Sequence, residues 1–143
     1  MNAFAEKIIN WQKSHGRHNL PWQNTRDPYA IWVSEIMLQQ TQVAAVIGYY
    51  AKFMQHFPSI SALANATQEQ VLQHWSGLGY YSRARNLHSA AQKIVEEYNG
   101  VFPHQFDDIL GLAGIGRTTA AAISTFALNT PYPILDGNVK RVF

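Results

Sequence analysis

Apolar residues recur along the chain at spacings of three and four, the signature of amphipathic helices. Phe4, Ile8, Ile9 and Trp11 fit one helical face over residues 3–13. Ser14 to Arg26 is polar, is broken by Gly16 and Pro21, and reads as a loop carrying Leu20, Pro21 and Trp22. Asp27-Pro28 is a strong helix start, Asp as N-cap and Pro at the first helical position. That helix is predicted to run to about Leu38, with Ile31, Glu35 and Leu38 on one face. Gln39, Gln40 and Thr41 form a polar break before a second helix, which Thr41 or a neighbour could cap. Val43, Ile47, Tyr50 and Met54 are its expected buried stripe, and Pro58 ends the region.

A short helical turn follows over Ser61 to Asn65, and Thr67 with Gln70 matches a capping box ahead of Val71, Leu72 and Trp75. Gly77-Leu78-Gly79-Tyr80-Tyr81 is a glycine loop bearing two aromatics. Ser82 is the expected cap of a long helix with Leu87, Ala91, Ile94 and Tyr98 on one side, closed by Gly100. Asp107-Asp108 starts another helix. Gly111, Gly114 and Gly116 then fall in a tight turn, and Thr118 to Ala127 reads as the helix after it. Asn129, Pro131 and Pro133 make a turn-rich connection to Asp136, the N-cap of a last helix over residues 137–143.

Composition narrows the class. The chain has 143 residues and is 47% hydrophobic, enough for one compact domain with a core. Its formal net charge is only +2, but the distribution is uneven. Between Pro28 and Val95 the only acids are Glu35 and Glu69, while Arg83, Arg85, Lys93, Arg117, Lys140 and Arg141 lie in the second half. There is no cysteine, so these residues hold no disulfide and no thiolate metal site. No apolar run approaches the roughly 20 residues that span a bilayer, and the N-terminus lacks the order of a signal peptide. A cytoplasmic location is the expectation. Val139, Val142 and Phe143 are apolar and nothing follows to cover them, which reads as an N-terminal fragment of a longer chain.

Four features carry candidate chemistry, and from the residues alone each leaves two readings open. Glu35 sits in an apolar stripe, where lost hydration raises a carboxyl pKa and suits it to general acid work; it could instead pair with an arginine or a backbone donor. The glycine turn presents the N–H groups of the following helix as a phosphate site, or is an ordinary glycine-capped junction. Arg83 and Arg85 stand in the first turn of a helix, where the dipole disfavours cations, so a phosphate is one candidate partner. Trp22 could stack on a flat ligand or plug a core edge.

Taken together, the segments resemble the helix-hairpin-helix DNA glycosylases, most closely their adenine-specific branch. The resemblance is carried by Leu20-Pro21-Trp22, by Trp32 to Val43, by Gly77 to Asn86, by the hairpin Leu112 to Gly116, and by Ile134 to Val142. It implies an all-α fold: a six-helix barrel domain over residues 26–130 with the helix-hairpin-helix at about 106–127. Residues 1–25 and 131–143 would belong to an incomplete second helical domain. The implied function is removal of adenine mispaired with 8-oxoguanine or guanine in duplex DNA. By position, Glu35 protonates the adenine, Asp136 stabilises the sugar cation and Asn138 supports it. Leu20, Trp22 and Thr118 line the adenine pocket. Gln39, Gln40, Thr41, Leu78 and Tyr80 wedge into the duplex and surround the opposite base. Gly114, Gly116, Arg83, Arg85 and Lys140 hold the DNA backbone, with a monovalent cation expected at the hairpin.

Endonuclease III-like members of the family carry a Schiff-base lysine two residues after the last hairpin glycine. Here that position is Thr118, which implies a glycosylase without strong lyase activity. A lyase for oxidised pyrimidines and a non-catalytic DNA-binding module are the competing readings. The family's 4Fe–4S cluster would be held by cysteines downstream of Phe143, and no metal site is expected within these residues. A nucleoid-associated bacterial location, no membrane, weak or no catalysis by the fragment alone, and a homodimer through faces exposed by truncation complete the expectations.

Overall fold

In the computed structural model Trp22 and residues 25–128 are described. They form seven helices, with no strand among the described residues. These are α1 (Pro28–Leu38), α2 (Val43–His56), α3 (Ile60–Asn65), α4 (Gln68–Gln73), α5 (Ser82–Tyr98), α6 (Phe106–Leu110) and α7 (Arg117–Phe126). The all-α expectation holds. The predicted helices over residues 3–13 and 137–143, and the faces expected to pair with a second copy, lie outside the described residues.

Helix α1 is the axis of the body. Asp27 caps it as predicted, its carboxylate accepting from the Tyr29 N–H at 3.1 Å, with Pro28 at the first position. The expected single apolar face is corrected: every residue from Tyr29 to Leu38 is buried. A helix enclosed all round needs neighbours on all sides, and α2, α5 and α7 supply them. Trp32, Val33 and Met37 at its centre are completely enclosed.

The α2 stripe is also displaced from expectation. Val46, Tyr50 and Phe53 form the buried seam, while Val43, Ile47 and Met54 are half-buried flanks. No side chain caps α2, whose N-cap is Gln42, because the Thr41 hydroxyl is engaged elsewhere. At α4 the predicted capping box is complete in both directions, Thr67 to the Gln70 N–H and Gln70 back to the Thr67 N–H. Helices α3 and α4 pack on α5. Ser82 does not cap α5; the N-cap is Tyr81 and Ser82 is already helical. Its C-terminus turns through Asn99 in the left-handed region (φ 55°) one residue before Gly100, and Asn tolerates that region better than most side chains.

The Tyr29 hydroxyl donates to the buried Phe57 carbonyl at 2.6 Å, tying α1 to the end of α2. Tyr29→Phe strands that carbonyl, and we expect it to lower unfolding stability by about 1–2 kcal/mol, measurable by urea denaturation. Among the described residues no helix is long and apolar enough to cross a membrane.

Candidate active site and duplex interface

Glu35 lies in the C-terminal half of α1 and is 5% exposed. Its Oε2 is enclosed without a hydrogen-bond partner among the described residues. Burial pushes its pKa from 4.5 up to about 8, because a low-dielectric surround penalises the charged form. Neither an arginine nor a backbone donor among the described residues reaches that oxygen. The open alternative of a neutralised, paired carboxyl therefore finds no support in the geometry. At neutral pH the group is mostly a protonated, enclosed acid.

Immediately past the end of α1 the chain turns sharply. Gln39 is the C-cap of the helix, and its side-chain amide donates to the Thr119 hydroxyl of α7 at 3.3 Å. Gln40 follows in the left-handed region at φ 57° and is exposed. The loop between α4 and α5 makes a similar turn: Leu78 is buried, Gly79 has φ 78°, and Tyr80 has φ 51°. Tyr80 is 62% exposed. A non-glycine residue in this region costs about 1–2 kcal/mol, and such costs concentrate at functional sites. Gln40 and Tyr80, two of the expected wedge residues, both bear it.

Arg83 is where the structure corrects the sequence. It was expected to face a phosphate, yet it is only 9% exposed. Its Nη1 donates to the carbonyls of Ile36, Met37 and Gln39. Its Nη2 donates to the Thr41 hydroxyl and the Gly79 carbonyl, both at 3.2 Å. The guanidinium also lies 5.4 Å from the Trp75 ring and 5.6 Å from the Tyr80 ring. The unfavourable cation at the start of α5 is thus a favourable one at the end of α1, where carbonyls and the helix dipole attract it. Arg85, by contrast, is exposed.

Helices α6 and α7 and the turn between them form the hairpin. Gly114 has φ 80°, and a Cβ there would lie 2.9 Å from the Asn86 Cβ of α5. Only glycine satisfies both the torsion and the approach. Gly116 is the N-cap of α7, without a side-chain cap bond, and a Cβ built on it meets nothing within 4 Å. No side chain caps the first turn of α7, and the position a Gly116 side chain would take is open. Exposed Arg117 and Thr118 border it. Behind the turn, Ala113 and Gly114 meet Trp32, Ile36, Gln39, Arg83 and Asn86 around a cavity of about 80 Å³. The hairpin, the end of α1 and the start of α5 are thereby one assembly.

Trp22 is buried, edge-on to Tyr50 with ring centroids 5.3 Å apart. Leu20, Asp136, Asn138 and Lys140 lie outside the described residues. Two contributors escaped the sequence. Asn86 sets the limit on Gly114, and Thr119 accepts from Gln39 at the α1 terminus. No local signal separated the two threonines; Thr119 is buried and Thr118 exposed because of how α7 packs.

A family model described as "HhH-GPD superfamily base excision DNA repair protein" matches residues 33–143. The chain is 51% identical over 139 residues to the adenine DNA glycosylase of Buchnera aphidicola from Acyrthosiphon pisum, covering 97% of this chain and 40% of that protein. It is 44% identical over 151 residues to the adenine DNA glycosylase of Homo sapiens, covering 99% of this chain and 28% of that protein. The chain thus spans well under half the length of these relatives. Among solved structures, a thermostable thymine-DNA glycosylase superposes with a TM-score of 0.78 at 28% identity, covering 97% of this chain and 64% of that one. Endonuclease III in a non-covalent DNA complex shares the fold, with a TM-score of 0.73 at 21% identity, covering 97% and 65%. With the helix-hairpin-helix formed by α6 and α7 and residues 33–143 matched end to end, the chain belongs to the HhH-GPD superfamily of base excision DNA repair proteins.

Proposed function

We propose that the protein to which this chain belongs excises adenine mispaired with 8-oxoguanine or guanine from duplex DNA, by hydrolysing the N-glycosidic bond. The observation that carries this is Glu35, a buried carboxyl with its pKa near 8 whose Oε2 has no hydrogen-bond partner among the described residues, in a chain whose relatives are adenine DNA glycosylases.

The chemistry follows from the residue types. Adenine is unreachable in the stack and must be turned out of the duplex, with Gln40 and Tyr80 entering the gap and Thr41 and Leu78 bordering the opposite base. Glu35 donates its proton to a ring nitrogen of the extruded base. The bond from the sugar C1′ to the base then breaks, and its electron pair leaves with the neutralised adenine. Positive charge develops on the sugar, as in sugar glycoside cleavage, and Asp136 answers it with a carboxylate that Asn138 supports. Water adds to C1′, returns one proton to the Glu35 carboxylate, and leaves an abasic site. Leu20, Trp22 and Thr118 shape the adenine pocket.

DNA is held without regard to sequence by the hairpin-turn N–H groups at Gly114 and Gly116 and those of the first turn of α7, joined by Arg85 and Lys140; a monovalent cation would sit at the same turn. Residues 26–130 act as the barrel domain, and the flanking segments belong to a second one. An iron–sulfur cluster requires thiolate ligands, and these 143 residues contain no cysteine. None of its ligands comes from this chain, and no step above uses it.

The test is a single-turnover assay of the full-length gene product on a duplex with one adenine opposite 8-oxoguanine. Adenine release, without a borohydride-trapped protein–DNA adduct, is the expected result. Trapping would move the protein to the lyase class, for which Thr118 in place of a lysine is the wrong residue. Salt-dependent duplex binding with no base release would leave only a DNA-binding module.

A further inference from the structure

Arg83 does more than cap a helix. Its five acceptors fall on the end of α1 and on two separate loops: Ile36, Met37, Gln39 and Thr41 on one side, Gly79 on the other. Gln39 and Gly79 have something in common. Each immediately precedes a non-glycine residue in the left-handed region, Gln40 at φ 57° and Tyr80 at φ 51°. Thr41 immediately follows Gln40, so Arg83 grips the backbone before that residue and the side chain after it. It also lies across the Tyr80 ring. The rest of the guanidinium's surroundings fix its plane, since Trp75 lies beneath it and donates its indole N–H to the same Gly79 carbonyl at 3.2 Å.

We infer that Arg83 is a positioning residue that yokes the Gln39–Thr41 turn to the Gly79–Tyr80 turn and sets the spacing between two exposed side chains, Gln40 and Tyr80, that enter the duplex together. This rests on the assignment of those two residues to the wedge. Left alone, each turn would relax toward a torsion with negative φ. A planar fork that hydrogen-bonds in several directions holds both at once, which a lysine's compact ammonium cannot do. The consequence is selectivity: a mispaired site is told from a matched one by whether both side chains fit, while the hairpin holds either duplex equally.

The test compares Arg83→Lys and Arg83→Gln with the parent, each as the full-length gene product. The readouts are Tm, affinity for a matched duplex, and affinity for an adenine:8-oxoguanine duplex made uncleavable by a 2′-fluoro sugar at the adenine. Tyr80→Ala serves as reference. We expect both Arg83 variants to lose at least tenfold in preference for the mispaired over the matched duplex, with matched-duplex affinity within twofold of the parent. Parallel losses on both duplexes, or an unchanged preference, overturn the yoke. So does failure of both variants to fold, which makes Arg83 simple scaffolding. If Tyr80→Ala lowers the preference and the Arg83 variants do not, the wedge stands and the yoke falls. If Tyr80→Ala leaves the preference untouched, the wedge assignment itself falls and the yoke with it.

Discussion

Glu35→Gln in the full-length gene product abolishes adenine release in single turnover, a loss on the order of 10³-fold or more, within the range that removal of a positioned general acid produces. Gln occupies the same volume in the buried α1 site but carries no proton to give. Duplex binding is retained, because the hairpin is on another element. A variant with normal turnover removes the acid from Glu35. The pH dependence is a second check. With a pKa near 8, the parent's rate falls as pH rises through about 8, as the acid loses its proton.

Stability follows the same titration. The folded pKa lies above the ordinary carboxyl value of 4.5, so the folded state holds a proton that the unfolded chain gives up. The associated stability is fully present below about 4.5, declines by roughly 1.4 kcal/mol per pH unit above it, and is exhausted above about 8. Glu35→Gln removes this dependence. Its Tm should exceed the parent's at pH 9 by more than at pH 5, and a constant difference across that interval would show that Glu35 titrates normally.

Gly114→Ala has the second largest expected effect, on stability. The φ of 80° costs an alanine about 1–2 kcal/mol. The added methyl would stand 2.9 Å from the Asn86 Cβ, too close for a carbon pair, and overpacking of that kind costs typically 1–3 kcal/mol. Asn86 cannot swing away, because its Cβ is fixed to α5. We expect a total loss of about 2–5 kcal/mol, seen as a lower Tm, together with weaker binding to any duplex as the turn shifts off the α7 terminus. Gly116→Ala is the contrast, since its Cβ would meet nothing within 4 Å of the chain. It should fold normally, and any deficit it shows belongs to DNA binding alone.

Much of the fold was legible because it depends on neighbours in sequence. The Asp27-Pro28 start, the Thr67/Gln70 capping box and the glycine-punctuated turn are local geometry, each complete within six residues or fewer. Stripe positions were less secure. The α2 seam through Val46, Tyr50 and Phe53 and the burial of α1 on every side depend on how many helices surround each element. Ser82 read as a cap because Ser is the commoner choice, yet the α4–α5 loop delivers Tyr81 to that place.

The sequence by itself determined an all-helical chain, the hairpin, an acid embedded in an apolar helix and the family that these segments resemble, because periodicity, caps and glycine placement act over a turn or two. Only the tertiary structure decided that Glu35 is buried with its Oε2 unpartnered among the described residues, that Gly114 is pinned by Asn86 and that Arg83 turns inward. The reason is distance along the chain. Arg83 meets carbonyls more than forty residues away, and whether a charge finds phosphate or carbonyl is settled by which element packs beside it, which no local pattern records.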